Sequence, residues 1–156
     1  MAIEQNSAAG TGASNEKICD TLNGYLRGEL SAVETYRQAM EKVTDASLRP
    51  QLEQNSQSHQ DRAAKLRNRI AQLGGKPSDS SGPWGGFAKL VEGSAKAFGV
   101  KTALAALEEG EDHGLRMYKD DLDKLDTSTR AFVEGELLPV QQRSHDAMSA
   151  LKHSVH

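Results

Sequence analysis

The sequence predicts an all-α protein, a four-helix bundle of two helical hairpins joined by a long crossover connection that contains a short helix. Three observations support this. Apolar positions recur in alternating steps of four and three, as along 22, 26, 29, 33, 36, 40 and 43, the seam of a helix packed nearly parallel to its neighbours. No segment alternates apolar and polar residues as a half-buried strand does. The helical stretches fall into two similar halves separated by a crossing of about 26 residues, far longer than the short loop of an up-down-up-down bundle.

Residues 1–14 are small and polar without a period and read as a flexible tail before a single domain, 15–156. The first helix spans Asn15 to Val43, and Thr44-Asp45-Ala46-Ser47 breaks it. A second helix is capped near Ser47, with Pro50 in its first turn, where a missing N–H costs least. Its seam is Leu48, Leu52, Ser56, His59, Ala63, Leu66, Ile70 and Leu73, and Gly74-Gly75 stops it. The loop KPSDSSGPWGG leads into a connecting helix with Phe87, Leu90, Val91, Ala95 and Phe98 in helical period. A third helix runs from Val100 to Leu125. After Asp126-Thr127-Ser128, which offers N-cap residues, a fourth runs to the C-terminus and is kinked at Pro139. A crossover of this length lets the second and third helices run in the same direction.

Composition excludes several functions. Nineteen Lys and Arg against twenty-two Asp and Glu leave a net charge of −3, and the basic residues are scattered, so nucleic acid is not an expected partner. The single cysteine, Cys19, excludes an internal disulfide framework, fits a reducing compartment and reads as a small apolar residue at a helix start. With no leader pattern at the N-terminus and no long apolar run, a cytoplasmic protein without a membrane span is expected. No nucleophile constellation, phosphate loop or cysteine pair of the zinc type is present. The segment 87–98 carries enough apolar surface either to cover the bundle's flank or to meet another subunit of a homo-oligomer.

One residue breaks the first seam. Between Leu26 and Val33 the position that should be buried is Glu29, within GELSAVETY. Residues 110–118, GEDHGLRMY, repeat the pattern of Gly-Glu, six residues and Tyr, at an offset of 111 − 29 = 82. The third helix thus carries Glu111 on its own seam. His59 on the second helix and His145 on the fourth lie 30 and 34 residues after their glutamates. An ionised carboxylate is costly to bury unless paired or bound to a cation. Glu29, His59, Glu111 and His145 therefore form a candidate site for a divalent metal, Fe, Mn or Zn, with no organic cofactor.

The stretch LRGELSAVETY with HQDRAAKLRNRIAQLGGKP resembles the first hairpin of ferritin-like proteins, the bacterioferritin and rubrerythrin group. From about Lys17 the chain is similar to a family of small, functionally uncharacterised bacterial ferritin-like bundles with a tryptophan-bearing connecting segment, here Trp84. The resemblance implies a bundle with the crossover above and, in the classical members, a carboxylate-bridged di-iron site. There the first and third helices each give one Glu, matched by Glu29 and Glu111. The second and fourth each give Glu-x-x-His: His59 and His145 match the histidines, whereas Ser56 and Gln142 replace the bridging glutamates. The resemblance thereby argues against ferroxidase chemistry and leaves a closed four-ligand site for one ion, with stress or metal-homeostasis roles by analogy.

Other readings stay open. Glu29 and Glu111 could form a polar network with Tyr36, Tyr118, Ser56 or Gln142 in a metal-free structural or interaction bundle, or the seam could be wider and wetter than its period suggests. His145 sits about 100° from the centre of its helix's apolar face and reaches the interior only if Pro139 re-aims it. Glu108, Asp112 and His113 read as a solvated face, and His153 and His156 as a fraying end.

Overall fold

The computed structural model describes residues 4–82 and 99–155, with side chains from residue 14 onward. The expected connecting helix over 87–98, Trp84 and His156 lie outside the described residues. Helices α1 (Glu4–Lys42), α2 (Arg49–Gln72) and α3 (Val100–Asp120) are followed by a 3₁₀ turn, Leu122–Lys124. The last helical arm consists of α4 (Thr127–Phe132), a π-helical turn, Val133–Leu137, and α5 (Leu138–Ser154). Among the described residues there is no strand, and no helix is long and apolar enough to cross a membrane.

α1 begins upstream of the Asn15 start that the seam suggests. The stretch read as a tail holds Ala8, Ala9 and Ala13, and extending a helix that is already nucleated costs little even without an apolar stripe. At the head of α2 Ser47 is not the cap: its N–H and hydroxyl donate to Asp45 Oδ1, at 2.9 and 2.7 Å, and Pro50 sits in the first turn. α2 stops at Gly74, whose φ of 81° suits glycine. At Gly75 a Cβ would lie 2.6 Å from Cys19 Sγ, so glycine lets the loop close against α1. Asp126 caps α4 by accepting the Thr129 N–H at 3.2 Å.

Pro139 does not sit within an unbroken α-helix. It falls in the first turn of α5, directly after the π-turn. A proline lacks the N–H and crowds the carbonyl four residues back, and the wider turn relieves both. It absorbs one residue without changing the register beyond it.

Packing follows the two-hairpin expectation: α1 lies mainly on α2 and α3 on α5, with α1 against α3 and α2 against α5 between hairpins. Two apolar clusters form the core. One gathers Leu22, Tyr25, Leu26, Leu66, Ile70 and Leu137, the other Ala39, Val43, Leu52, Leu104, Leu107 and Met148. Leu48 and Leu52, at the start of α2, share the second cluster with Leu104 and Leu107, at the start of α3, so α2 and α3 run in the same direction. Between the clusters lies a polar layer that is almost solvent-free: Glu29, Asn55, Ser56, His59, Arg62, Glu111, Gln141 and Ser144 are all buried.

Candidate functional site

Glu29 on α1 and Glu111 on α3 are 4% and 2% exposed, too little for water to hold their charge. Each is bound by the tyrosine of the opposite hairpin. Tyr36 donates to Glu111 Oε1 at 2.6 Å and Tyr118 to Glu29 Oε1 at 2.5 Å. The two bonds are related by the same 82-residue offset as the glutamates themselves, so the sequence repeat is a physical pseudo-twofold.

The α2 positions facing this pair are His59 and Arg62. His59 bridges the carboxylates, Nδ1 to Glu29 Oε2 at 2.5 Å and Nε2 to Glu111 Oε1 at 2.9 Å. A ring with an acceptor on each nitrogen is satisfied only as the doubly protonated imidazolium. Burial opposes that charge, but Glu111 and Glu29 together outweigh it and raise His59 to about 9. Arg62 Nε donates to Glu29 Oε1 at 2.8 Å, while Nη1 reaches Ser58 at 2.7 Å and Ser144 at 3.3 Å. Its Nη2 is 2.7 Å from His59 Nδ1. With the ring protonated this is a contact between two cations around a shared carboxylate, not a hydrogen bond. Burial alone would raise Glu29, yet Arg62 and His59 hold it down at about 2. Two carboxylates, one guanidinium and one imidazolium make the layer neutral.

On α5 the facing residues are Gln141 and Ser144. Gln141 Nε2 donates to Glu111 Oε2 at 2.8 Å and to the Glu111 carbonyl at 3.0 Å. Asn55 ties α2 to α1 by donating to Tyr36 Oη at 3.0 Å and to α5 by donating to the Ser144 carbonyl at 3.1 Å. His59 to Gln141 and Arg62 to Ser144 are again 82 apart.

Of the expected site residues, Glu29, His59 and Glu111 come together, with Tyr36 and Tyr118 beside them. His145 does not join them. It is half-buried at the surface, with Nδ1 3.3 Å from Asp146 and Nε2 3.7 Å from Asp112. Gln142 likewise faces out and donates to Asp146 at 2.9 Å. Ser56 is buried one turn before His59, where its hydroxyl accepts from Gln60 at 3.5 Å. The resemblance aligns α5 on His145, but the buried face of α5 runs through Gln141, Ser144 and Met148, which leaves positions 142 and 145 about 100° to one side. Arg62, Gln141, Ser144 and Asn55 were not foreseen, though carrying the 82-residue offset past Tyr118 would have pointed to Gln141.

The residues present do not fit a carboxylate-bridged di-iron pair. No Glu-x-x-His faces inward among the described residues: on α2 Ser56 precedes His59 and Arg62 follows it, and on α5 the buried pair is Gln141 with Ser144. Two carboxylates remain, and a permanent cation lies among them. Among the described residues no three His, Cys, Asp or Glu side chains are arranged to hold a metal ion. Glu29, His59 and Glu111 converge on one another, with the imidazole spending both nitrogens on the carboxylates.

A family model described as a domain of unknown function, DUF2383, matches residues 17–124. The chain belongs to this family. The match ends at the 3₁₀ turn, so the DUF2383 region contributes Glu29, His59, Arg62 and Glu111, while Gln141 and Ser144 follow it. No curated protein matches the chain. Among solved structures it is similar to one titled as ferritin-like, diiron-carboxylate proteins from Bacillus anthracis str. Ames, with a TM-score of 0.72, 19% identity, and 92% of this chain and 98% of that one covered. The DUF2383 chain therefore has an all-α ferritin-like fold.

Proposed function

We propose that this chain is a ferritin-like bundle whose central layer is held together by its own charges, with Arg62 and His59 supplying the positive charge that metal ions supply in a di-iron arrangement. Its role is then that of a structural or ligand-binding bundle and not of an oxidase. The observation that carries this reading is His59 bridging Glu29 and Glu111 while Arg62 binds Glu29. A cation that cannot be discharged competes with any metal for the same oxygens, and the histidine offers no free lone pair.

A second reading retains a single divalent ion, Fe, Mn or Zn, on Glu29, His59 and Glu111, reached after His59 and Arg62 turn away. It is favoured by a cavity that opens onto all three residues. One experiment separates the two. The chain is loaded anaerobically with Fe(II), Mn(II) or Zn(II), dialysed and subjected to elemental analysis, with oxygen consumption followed after addition of Fe(II). The first reading expects far less than one ion per chain and no protein-dependent oxygen uptake. A stoichiometric ion that Glu29→Ala abolishes establishes the second.

A further inference from the structure

Beside the polar layer, between α1 and α3, lies a cavity of about 220 Å³. Its floor is formed by Glu29, Glu111, His59 and the two tyrosines, and its walls include Ala32, Thr35, Leu107 and Met117, with one acidic and one basic side chain, Glu109 and Arg116, and His113 also on the lining. Gly28, Gly110 and Gly114 widen it on both helices. We infer that this cavity binds a small, neutral, largely apolar ring compound that carries one hydroxyl or N–H donor.

Three features set that chemistry. The first is size: an apolar cavity of about 150 Å³ holds benzene, so this one accommodates a ring with a substituent. The second is charge. The inference rests on the metal-free reading, because with Arg62 and His59 both cationic the floor is neutral and favours neither an anion nor a cation, and apolar walls would strip water from a charged ligand without replacing it. The third is acceptor capacity. Among the described residues Glu29 Oε2 takes a bond only from His59, and Glu111 Oε2 only from Gln141, whereas a carboxylate oxygen accepts two. The hydrogens of Tyr36, Tyr118 and His59 are already committed to carboxylates. The floor thus has acceptors to offer and few donors, so it selects a ligand that donates.

Phenol is the probe, titrated into the full chain and followed by amide chemical shifts, with toluene, benzoate and benzylammonium as comparators. Saturable one-to-one shifts centred on Ala32, Thr35 and Leu107 are expected, with phenol binding at least tenfold more tightly than toluene and both charged analogues weaker than phenol. Ala32→Phe should abolish binding, and Met117→Ala should keep phenol and also admit 1-naphthol, which keeps the test decisive if the larger side chain prevents folding. The inference is overturned by absence of saturation, by toluene matching phenol, by either ion binding as tightly, or by Met117→Ala failing to admit naphthol. Metal content measured on the same samples separates the two claims: phenol binding in a metal-loaded chain defeats only the metal-free reading, and its absence in a metal-free chain defeats only this one.

Discussion

The two hairpins meet one pair of carboxylates with different chemistry. The first brings His59 and Arg62, two cations that bind Glu29 and bridge to Glu111. The second brings Gln141 and Ser144 at the pseudo-symmetric positions, neutral groups that complete the hydrogen bonding without charge. Backbone symmetry is kept while side-chain symmetry is not, so the layer is neutral as a whole and polarised in detail. A symmetric metal pair needs matched half-sites; one cationic and one neutral half-site suit carboxylates that are balanced by the protein itself.

The most severe way to break that comparison is to remove the cation. Arg62→Leu strands Glu29 with one fewer positive partner in a buried layer, and losing half of such a pair costs about 3–5 kcal/mol. Its counterpart Ser144→Ala removes a neutral hydroxyl and should cost about 1 kcal/mol. Denaturant unfolding of both variants measures the difference. Equal losses would show that the hairpins contribute alike.

The pH dependence sharpens the same contrast, because His59 and Glu29, both of the first hairpin, are shifted in opposite directions. His59 is raised from 6.5 to about 9, so its contribution is complete below 6.5 and is lost as pH rises through about 9. Glu29 is lowered from 4.5 to about 2, so its contribution is complete above 4.5 and is lost as pH falls through about 2. Stability should therefore decline between pH 6.5 and 9 in the wild-type chain. His59→Gln, which makes the first hairpin resemble the second, should flatten that limb; an unchanged alkaline slope would assign it to another group.

On the second hairpin, Gln141→Met keeps the volume and removes both bonds to Glu111. A buried acceptor left unpaired costs about 1–3 kcal/mol, less than the loss of Arg62. Thermal melts of the two variants at one pH rank them, and a Gln141 variant as damaged as the Arg62 variant would place equal weight on both sides.

Much of this was legible before any coordinates, and the parts that were not have identifiable causes. The helices and the shared direction of α2 and α3 follow from seam spacing and the length of the crossover. Glu29, Glu111 and their tyrosines follow from the repeat. Arg62 was hidden because an arginine three residues after a histidine on an otherwise polar helix looks like a solvated side chain; only its partners, from α1 and α5, reveal it as buried. Gln141 was hidden because the resemblance aligns the fourth helix on His145, whereas steps of four and three back from Met148 reach Ser144 and Gln141.

His145 provides the smallest expected effect and the cleanest check of that geometric explanation. In the observed register it is a surface residue beside Asp112 and Asp146, so His145→Ala should change stability by no more than about 0.5 kcal/mol and leave metal content unaltered. Deleting Gly135, inside the π-turn, should restore an ordinary helical turn and leave Gln141 and Ser144 facing the carboxylates, because the wider turn absorbs one residue without changing the register beyond it. In that background His145→Ala should stay as mild as in the intact chain, and its imidazole should keep the fast solvent exchange of a surface ring. If instead the deletion buries His145, the π-turn sets the register of α5 and does not merely absorb one residue.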